Sequence, residues 1–106
     1  MRYIGERSND PSLLVMTSLA DGPKHGYAIT TDVAEFSDVH LGPGTLYGAL
    51  SRLEAKGLIK ALPAEDRRRP YRLTADGSAA LEQELRKLQS VTTRGLDRLK
   101  VAEVAR

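Results

Sequence analysis

Cysteine and tryptophan are missing from this 106-residue chain, phenylalanine occurs once, and no apolar run is long enough to span a bilayer. Without cysteine there is no disulfide framework, no thiolate metal site and no sulfur nucleophile. Imidazole is nearly as scarce: His25 and His40 lie in separate segments and at no metal-ligand spacing. Nothing in the sequence supplies a nucleophile with a base or a pair of converging carboxylates, and Gly42-Pro43-Gly44 reads as a turn, not a nucleotide loop. These absences predict a protein that is no enzyme and holds neither metal nor cofactor. With so few aromatics a stacking pocket is not indicated, although Leu, Val and Met remain to line a smaller one. Met1 to Asp10 alternates charged and small residues without an apolar core, unlike an export signal, so the expected location is the cytoplasm, with no membrane partner.

What is present is an ordinary globular composition, 41% hydrophobic and 28% charged. A chain this short reads as one domain by length, and a domain of this size removes only about two-thirds of its unfolded surface from water. A second subunit would supplement so modest a core. The net charge of +2 conceals a local imbalance. Residues 11–40 carry one base (Lys24) against four acids (Asp21, Asp32, Glu35, Asp38), a net of −3. Residues 41–73 carry seven bases (Arg52, Lys56, Lys60, Arg67, Arg68, Arg69, Arg72) against three acids (Glu54, Glu65, Asp66), a net of +4. The middle third is suited to face a polyanion.

Asp10-Pro11 is a helix-start signal leading into Leu13, Leu14, Val15, Met16 and Leu19, and Asp21-Gly22-Pro23 should end that helix. A second helix is expected from about His25 to Ser37, with Ile29, Val33 and Phe36 on its apolar face and Asp32 and Glu35 turned outward. The third, Pro43 to Lys56, has the most informative pattern. Leu46, Leu50 and Leu53 form a core stripe, and Gly57 marks the stop. The opposite face is Gly44, Gly48, Ser51 and Ala55, flanked by Tyr47 on one side and by Thr45, Arg52 and Lys56 on the other. So slim a face suits close approach to another surface, and a DNA major groove admits a helix whose flanks reach the phosphates. Arg52 and Lys56 are like charges four apart, a repulsion that a bound phosphate would relieve.

Past Gly57 the period changes to that of strands, Leu58 to Leu62 and then Tyr71-Arg72-Leu73, which predicts a β-hairpin. Pro70 confines the second strand to an edge or a strand start. Arg67, Arg68 and Arg69 at the hairpin tip can straddle a phosphate backbone and reach a minor groove.

Three helices followed by a two-stranded wing, with Gly22-Pro23-Lys24-His25-Gly26-Tyr27, Gly42-Pro43-Gly44-Thr45-Leu46-Tyr47, Leu50 to Ile59 and Tyr71-Arg72-Leu73-Thr74, resembles the PadR-like family of winged-helix transcriptional regulators. The resemblance spans roughly residues 12–77. It implies a homodimeric repressor with a C-terminal dimerisation helix and, often, release by a small-molecule effector. By that likeness Thr45, Tyr47 and the basic wing would touch double-stranded DNA. The expected fold class is mostly α with a small β-hairpin. A winged helix-turn-helix domain would occupy residues 1–74, and a dimerisation helix residues 75–106.

That last segment has Thr74 as its N-cap and Leu81, Leu85, Leu88, Leu96 and Leu99 as apolar positions. Leu81, Leu85, Leu88 and Leu99 take a/d-type places, while Thr92 and Gly95 interrupt the seam. A helix on the order of 45 Å is too long to pack wholly on a small domain, so its stripe should bury against a twin. Gly95 leaves its continuity open.

Each reading has a plainer competitor. His25 is expected as a capping or packing residue and His40 as a solvated loop residue. Tyr71 should pack under the wing, whereas Tyr47 adjoins the core stripe yet has a hydroxyl that can reach a phosphate. Arg67 to Arg69 compete with the reading of a solvated turn balanced by Glu65 and Asp66, and the terminal leucines with packing inside one subunit. The alternative function is a winged-helix module that binds protein without DNA, which would need an apolar or mixed exposed face in place of the basic wing.

Overall fold

The computed structural model describes residues 10–105; Met1–Asn9, read above as unlike an export signal, and Arg106 lie outside the described residues. Four helices and a small sheet make up the rest. Helix α1 (Pro11–Leu19) starts where Asp10 accepts a hydrogen bond from the Ser12 amide at 3.0 Å and Pro11 fills a position that needs no N–H. It is buried on almost every side, through Leu13, Leu14, Val15, Met16 and Leu19, and so forms the centre of the core. Its one buried polar side chain, Ser18, donates to Asp32 at 2.7 Å. Lys24 closes the cluster by donating to the Ser18 carbonyl and to Asp21, whose carboxyl its ammonium holds below the usual value. Asp32, expected to point to solvent, is thus half-buried as the acceptor that satisfies Ser18.

Strand β1 (Lys24–His25) runs directly into helix α2 (Gly26–Ser37), where His25 Nδ1 accepts from the Ala28 amide at 3.4 Å, the capping role expected of it. Ile29 and Val33 are buried, but Phe36 is exposed: the core face of this short helix ends one turn earlier than its apolar spacing suggests. Asp38 closes α2 in the left-handed region at φ 62°. Leu41 tucks into the core from the connecting loop, and helix α3 (Pro43–Ala55) follows with Leu46, Ala49, Leu50 and Leu53 buried. At its end the Leu58 amide bonds the Leu53 carbonyl and the Gly57 amide the Glu54 carbonyl, each at 3.0 Å. This is a Schellman cap, and Gly57 supplies the φ of 74° that it requires.

Strands β2 (Ile59–Ala61) and β3 (Pro70–Leu73) form the predicted hairpin, with Ile59 opposite Leu73 and Ala61 opposite Tyr71. The sheet has a third member. β1 pairs with the other edge of β3, so the order is β1-β3-β2 and β3 is central rather than an edge. Pro70 is tolerated there because it is the strand's first residue, where its carbonyl still accepts from the Leu62 amide at 2.8 Å.

Helix α4 (Ala75–Ala105) is continuous through Gly95 for 31 residues, roughly 46 Å, which accounts for a molecule measuring 60 × 26 × 20 Å. Thr74 caps it by accepting from the Gly77 amide at 3.0 Å, and the Thr74 hydroxyl and amide in turn donate to the Gly57 and Leu58 carbonyls at 2.7 and 3.1 Å. Gly77 is needed for this docking, since a Cβ there would lie 1.9 Å from the Leu58 carbonyl oxygen. The first turns of α4 pack on α1 and β3, and Leu81 joins the common core. The whole is a winged helix-turn-helix carrying a long C-terminal helix. No helix among the described residues is long and apolar enough to cross a membrane.

Candidate nucleic-acid interface

The outer side of α3 is open. Thr45, Ser51, Arg52, Lys56 and the small residues Gly44 and Ala55 are exposed, and Gly48 is half-exposed with the Arg52 guanidinium folded towards it, Nη1 lying 3.4 Å from where a Cβ would stand. Tyr47 is 54% exposed on the flank nearer the wing. Its hydroxyl passes over the start of α2, where a Cβ on Gly26 would come within 2.8 Å of it.

The hairpin tip is built on Asp66-Arg67, both at positive φ (47° and 71°), with Glu65 and Arg68 exchanging backbone hydrogen bonds of 2.6 and 2.8 Å around them. Two successive positive φ values define a type I′ turn, a conformation that asparagine and glycine adopt most cheaply. Between this pair and the Leu62–Pro70 pair, Pro63 and Ala64 stand opposite Arg69 alone, an extra residue that bends the arm.

The bend brings Arg67, Arg68 and Arg69 around one shallow recess of about 250 Å³, whose other walls are His25, Tyr27, Tyr47 and Tyr71. The arginine trio makes no ion pair with any described residue, and the same holds for Arg52 and Lys56. The solvated-turn reading, in which Glu65 and Asp66 neutralise the arginines, therefore finds no ion pair in its favour. Tyr71 packs against the core as expected. Burial, aided by the nearby Glu54 carboxylate and opposed by Arg69, pushes its phenol above the ordinary value, so it remains a neutral donor. The recess gathers Tyr47 and the three arginines, while Thr45, Ser51, Arg52 and Lys56 spread along the helix beside it.

Residues 15–83 match the transcriptional regulator PadR-like family. The chain belongs to this family. Among its relatives, the transcriptional regulator Rv3488 of Mycobacterium tuberculosis is 38% identical over 85 residues, covering 74% of this chain and 76% of that one. An uncharacterized 37.1 kDa protein in transposon TN4556 of Streptomyces fradiae is 48% identical over 88 residues. That match takes in 83% of this chain but only 26% of the relative, so the chain spans about a quarter of its length. A PadR family transcription regulator from Clostridium difficile is similar in structure, with a TM-score of 0.68 at 34% identity, covering 81% of this chain and 97% of that one.

In this PadR-like chain the five leucines expected to pair two copies divide into two groups. Leu81 is 4% exposed and enclosed in its own subunit's core, which leaves it no surface to offer a twin, and its assignment to the interface is corrected accordingly. Leu88 is half-buried against the same core and Leu85 is partly exposed. Leu96 and Leu99, at 63% and 65% exposure, continue the same stripe of α4 beyond the point where the core ends. Val91, Val101 and Val104 are exposed on this half of α4 as well, off the leucine stripe, and the heptad count did not take them in. Sequence reasoning also left Tyr27 without a role. The signal was its place in the first turn of a helix, two residues after the capping histidine, a position with little core to bury it.

Proposed function

We propose that the protein is a homodimeric repressor that binds an inverted-repeat operator in double-stranded DNA and catalyses no reaction. The observation that carries this reading is the shared recess of Tyr47 and the three wing arginines, in no ion pair with a described residue, beside the open face of α3. A helix with a slim, uncharged outer face fits a major groove. Cations on its flank and on a bent arm are placed to meet the phosphates on either side. In this reading Thr45, Tyr47 and Ser51 lie over the groove, and Arg52, Lys56 and Arg67 to Arg69 face the backbone.

Residues 1–74 are assigned to DNA binding and 75–106 to pairing, with Leu85, Leu88, Leu96 and Leu99 offered to the twin. A small-molecule effector belongs to the same proposal. The apolar groove of about 480 Å³ among Ala20, Leu73, Leu81 and Leu85, rimmed by the Glu82–Arg86 ion pair, is of ligand size and adjoins the proposed seam. Selection of bound fragments from random duplex DNA tests the central claim. Enrichment of an inverted repeat is expected, because two-fold protein symmetry imposes two-fold symmetry on the site. Recovery of unenriched DNA, or of a single unrepeated half-site, overturns it.

A further inference from the structure

Tyr27 is the most exposed aromatic side chain of the described residues, at 77%. It occupies the first turn of α2 and adds nothing to the core, which the same helix reaches through Ile29 and Val33. Its phenol hydroxyl has no hydrogen-bond partner among the described residues, and neither has that of Tyr47. Both rings line the recess whose opposite wall is Arg67, Arg68 and Arg69. A ring this exposed adds no burial to the core, whereas a neutral O–H donor beside cations is a natural partner for an anion.

The recess is also in a particular place. It lies between Tyr47, on the flank of α3, and the wing tip, so a duplex whose major groove received α3 and whose neighbouring minor groove received the wing would carry one of its backbones across it. What would cross there is a phosphodiester, whose single negative charge is shared by two non-bridging oxygens that accept hydrogen bonds.

We propose that Tyr27 is a DNA-backbone contact, which with Tyr47 forms a pair of uncharged donors holding the phosphate that passes between α3 and the wing. This rests on the DNA-binding reading above and adds a residue that reading does not contain. The contact differs in kind from those of the arginines. A cation that meets a phosphate displaces counterions and steepens the dependence of affinity on salt, by about 0.9 in the logarithmic slope for each phosphate neutralised. A phenol displaces none. Its loss should weaken binding equally at every salt concentration.

The test is a titration of wild type, Tyr27→Phe and Arg68→Ala against a fluorescein-labelled operator duplex recovered by the selection described above, at several salt concentrations. Tyr27→Phe keeps the ring and removes only the hydroxyl, and circular dichroism melting should match wild type because the side chain is exposed. The expected result is binding about tenfold weaker with an unchanged salt slope, as for loss of one hydrogen bond to a charged group, while Arg68→Ala flattens the slope. A scan of single methylphosphonate substitutions then locates the contact: one position should weaken wild type more than it weakens Tyr27→Phe, which keeps only the Tyr47 donor there, a coupling that distant sites do not show. Unchanged affinity in Tyr27→Phe, a changed slope, or a scan in which every position affects both proteins equally overturns the contact and leaves DNA binding standing. A selection that enriches no duplex overturns DNA binding itself, and this contact with it.

Discussion

Three non-glycine residues among those described, Asp38, Asp66 and Arg67, stand at positive φ, where local preference disfavours them. Arg67 is held at φ 71° in a turn that glycine would enter freely, at a cost of about 1–2 kcal/mol for an L-residue. Backbone strain at an exposed tip, with no ion pair to any described residue, is the reason to test Arg67 as a contact residue. Arg67→Gly should leave stability within about 1 kcal/mol, since relieved strain and added chain entropy nearly offset each other, yet weaken DNA binding in a salt titration. Equal affinity would return Arg67 to the role of a turn filler. The glycines of α4 make the complementary comparison. Gly77→Ala forces a methyl against the Leu58 carbonyl and should cost about 2 kcal/mol or more in thermal melts. Gly95 meets no atom within 4 Å in its own subunit, so Gly95→Ala should gain about 1 kcal/mol from helix propensity. A loss at Gly95 would instead place a twin's surface against it.

At the level of elements, α4 is one helix with two environments along a single stripe. Leu81→Ala opens a cavity in the common core and should cost about 3 kcal/mol without changing subunit stoichiometry in light scattering. Leu96→Glu with Leu99→Glu should leave the winged domain melting normally while shifting scattering to the monomer. A dimer that survives this change moves the seam elsewhere. This difference was not legible in the sequence, because Leu81 and Leu99 share a periodicity and only the position of the neighbouring helices decides which of them meets the core. The helices themselves were legible. Asp10-Pro11, Gly42-Pro43 and Thr74 mark starts, and Gly57 a stop, each by a local mechanism that no tertiary contact has to supply. β1 was invisible for the opposite reason: two residues cannot show an alternation, and Lys24-His25 become a strand only because β3 offers an unpaired edge. Phe36 looked like core because its spacing fits, yet the core face of α2 ends before reaching it. Of the candidate interface, composition disclosed the basic tip. The recess that unites it with Tyr27 and Tyr47 required the bend at Pro63-Ala64, which has no sequence period.

For the whole molecule, the proposal is chiefly one about charge. Reversing Arg67, Arg68 and Arg69 to glutamate together should reduce affinity for every duplex, specific or not, and flatten the salt dependence. The three side chains are exposed and in no ion pair with a described residue, so the melting curve should be retained. Unaltered binding across the salt series would remove the wing from the interface.

The Thr74–Gly57 and Thr74–Leu58 hydrogen bonds, with Gly77 pressed onto the same carbonyl, tie three things at one knot: the tail of α3, the root of the wing and the foot of α4. There is no slack linker between the part that would read a sequence and the rod that would set its distance from a second reader. A tilt of the paired rods would swing both heads through the same arc, so in such an assembly the pitch of the rods acts as a ruler. Targets with their half-sites spaced differently would then bind less tightly for their geometry, whatever their letters.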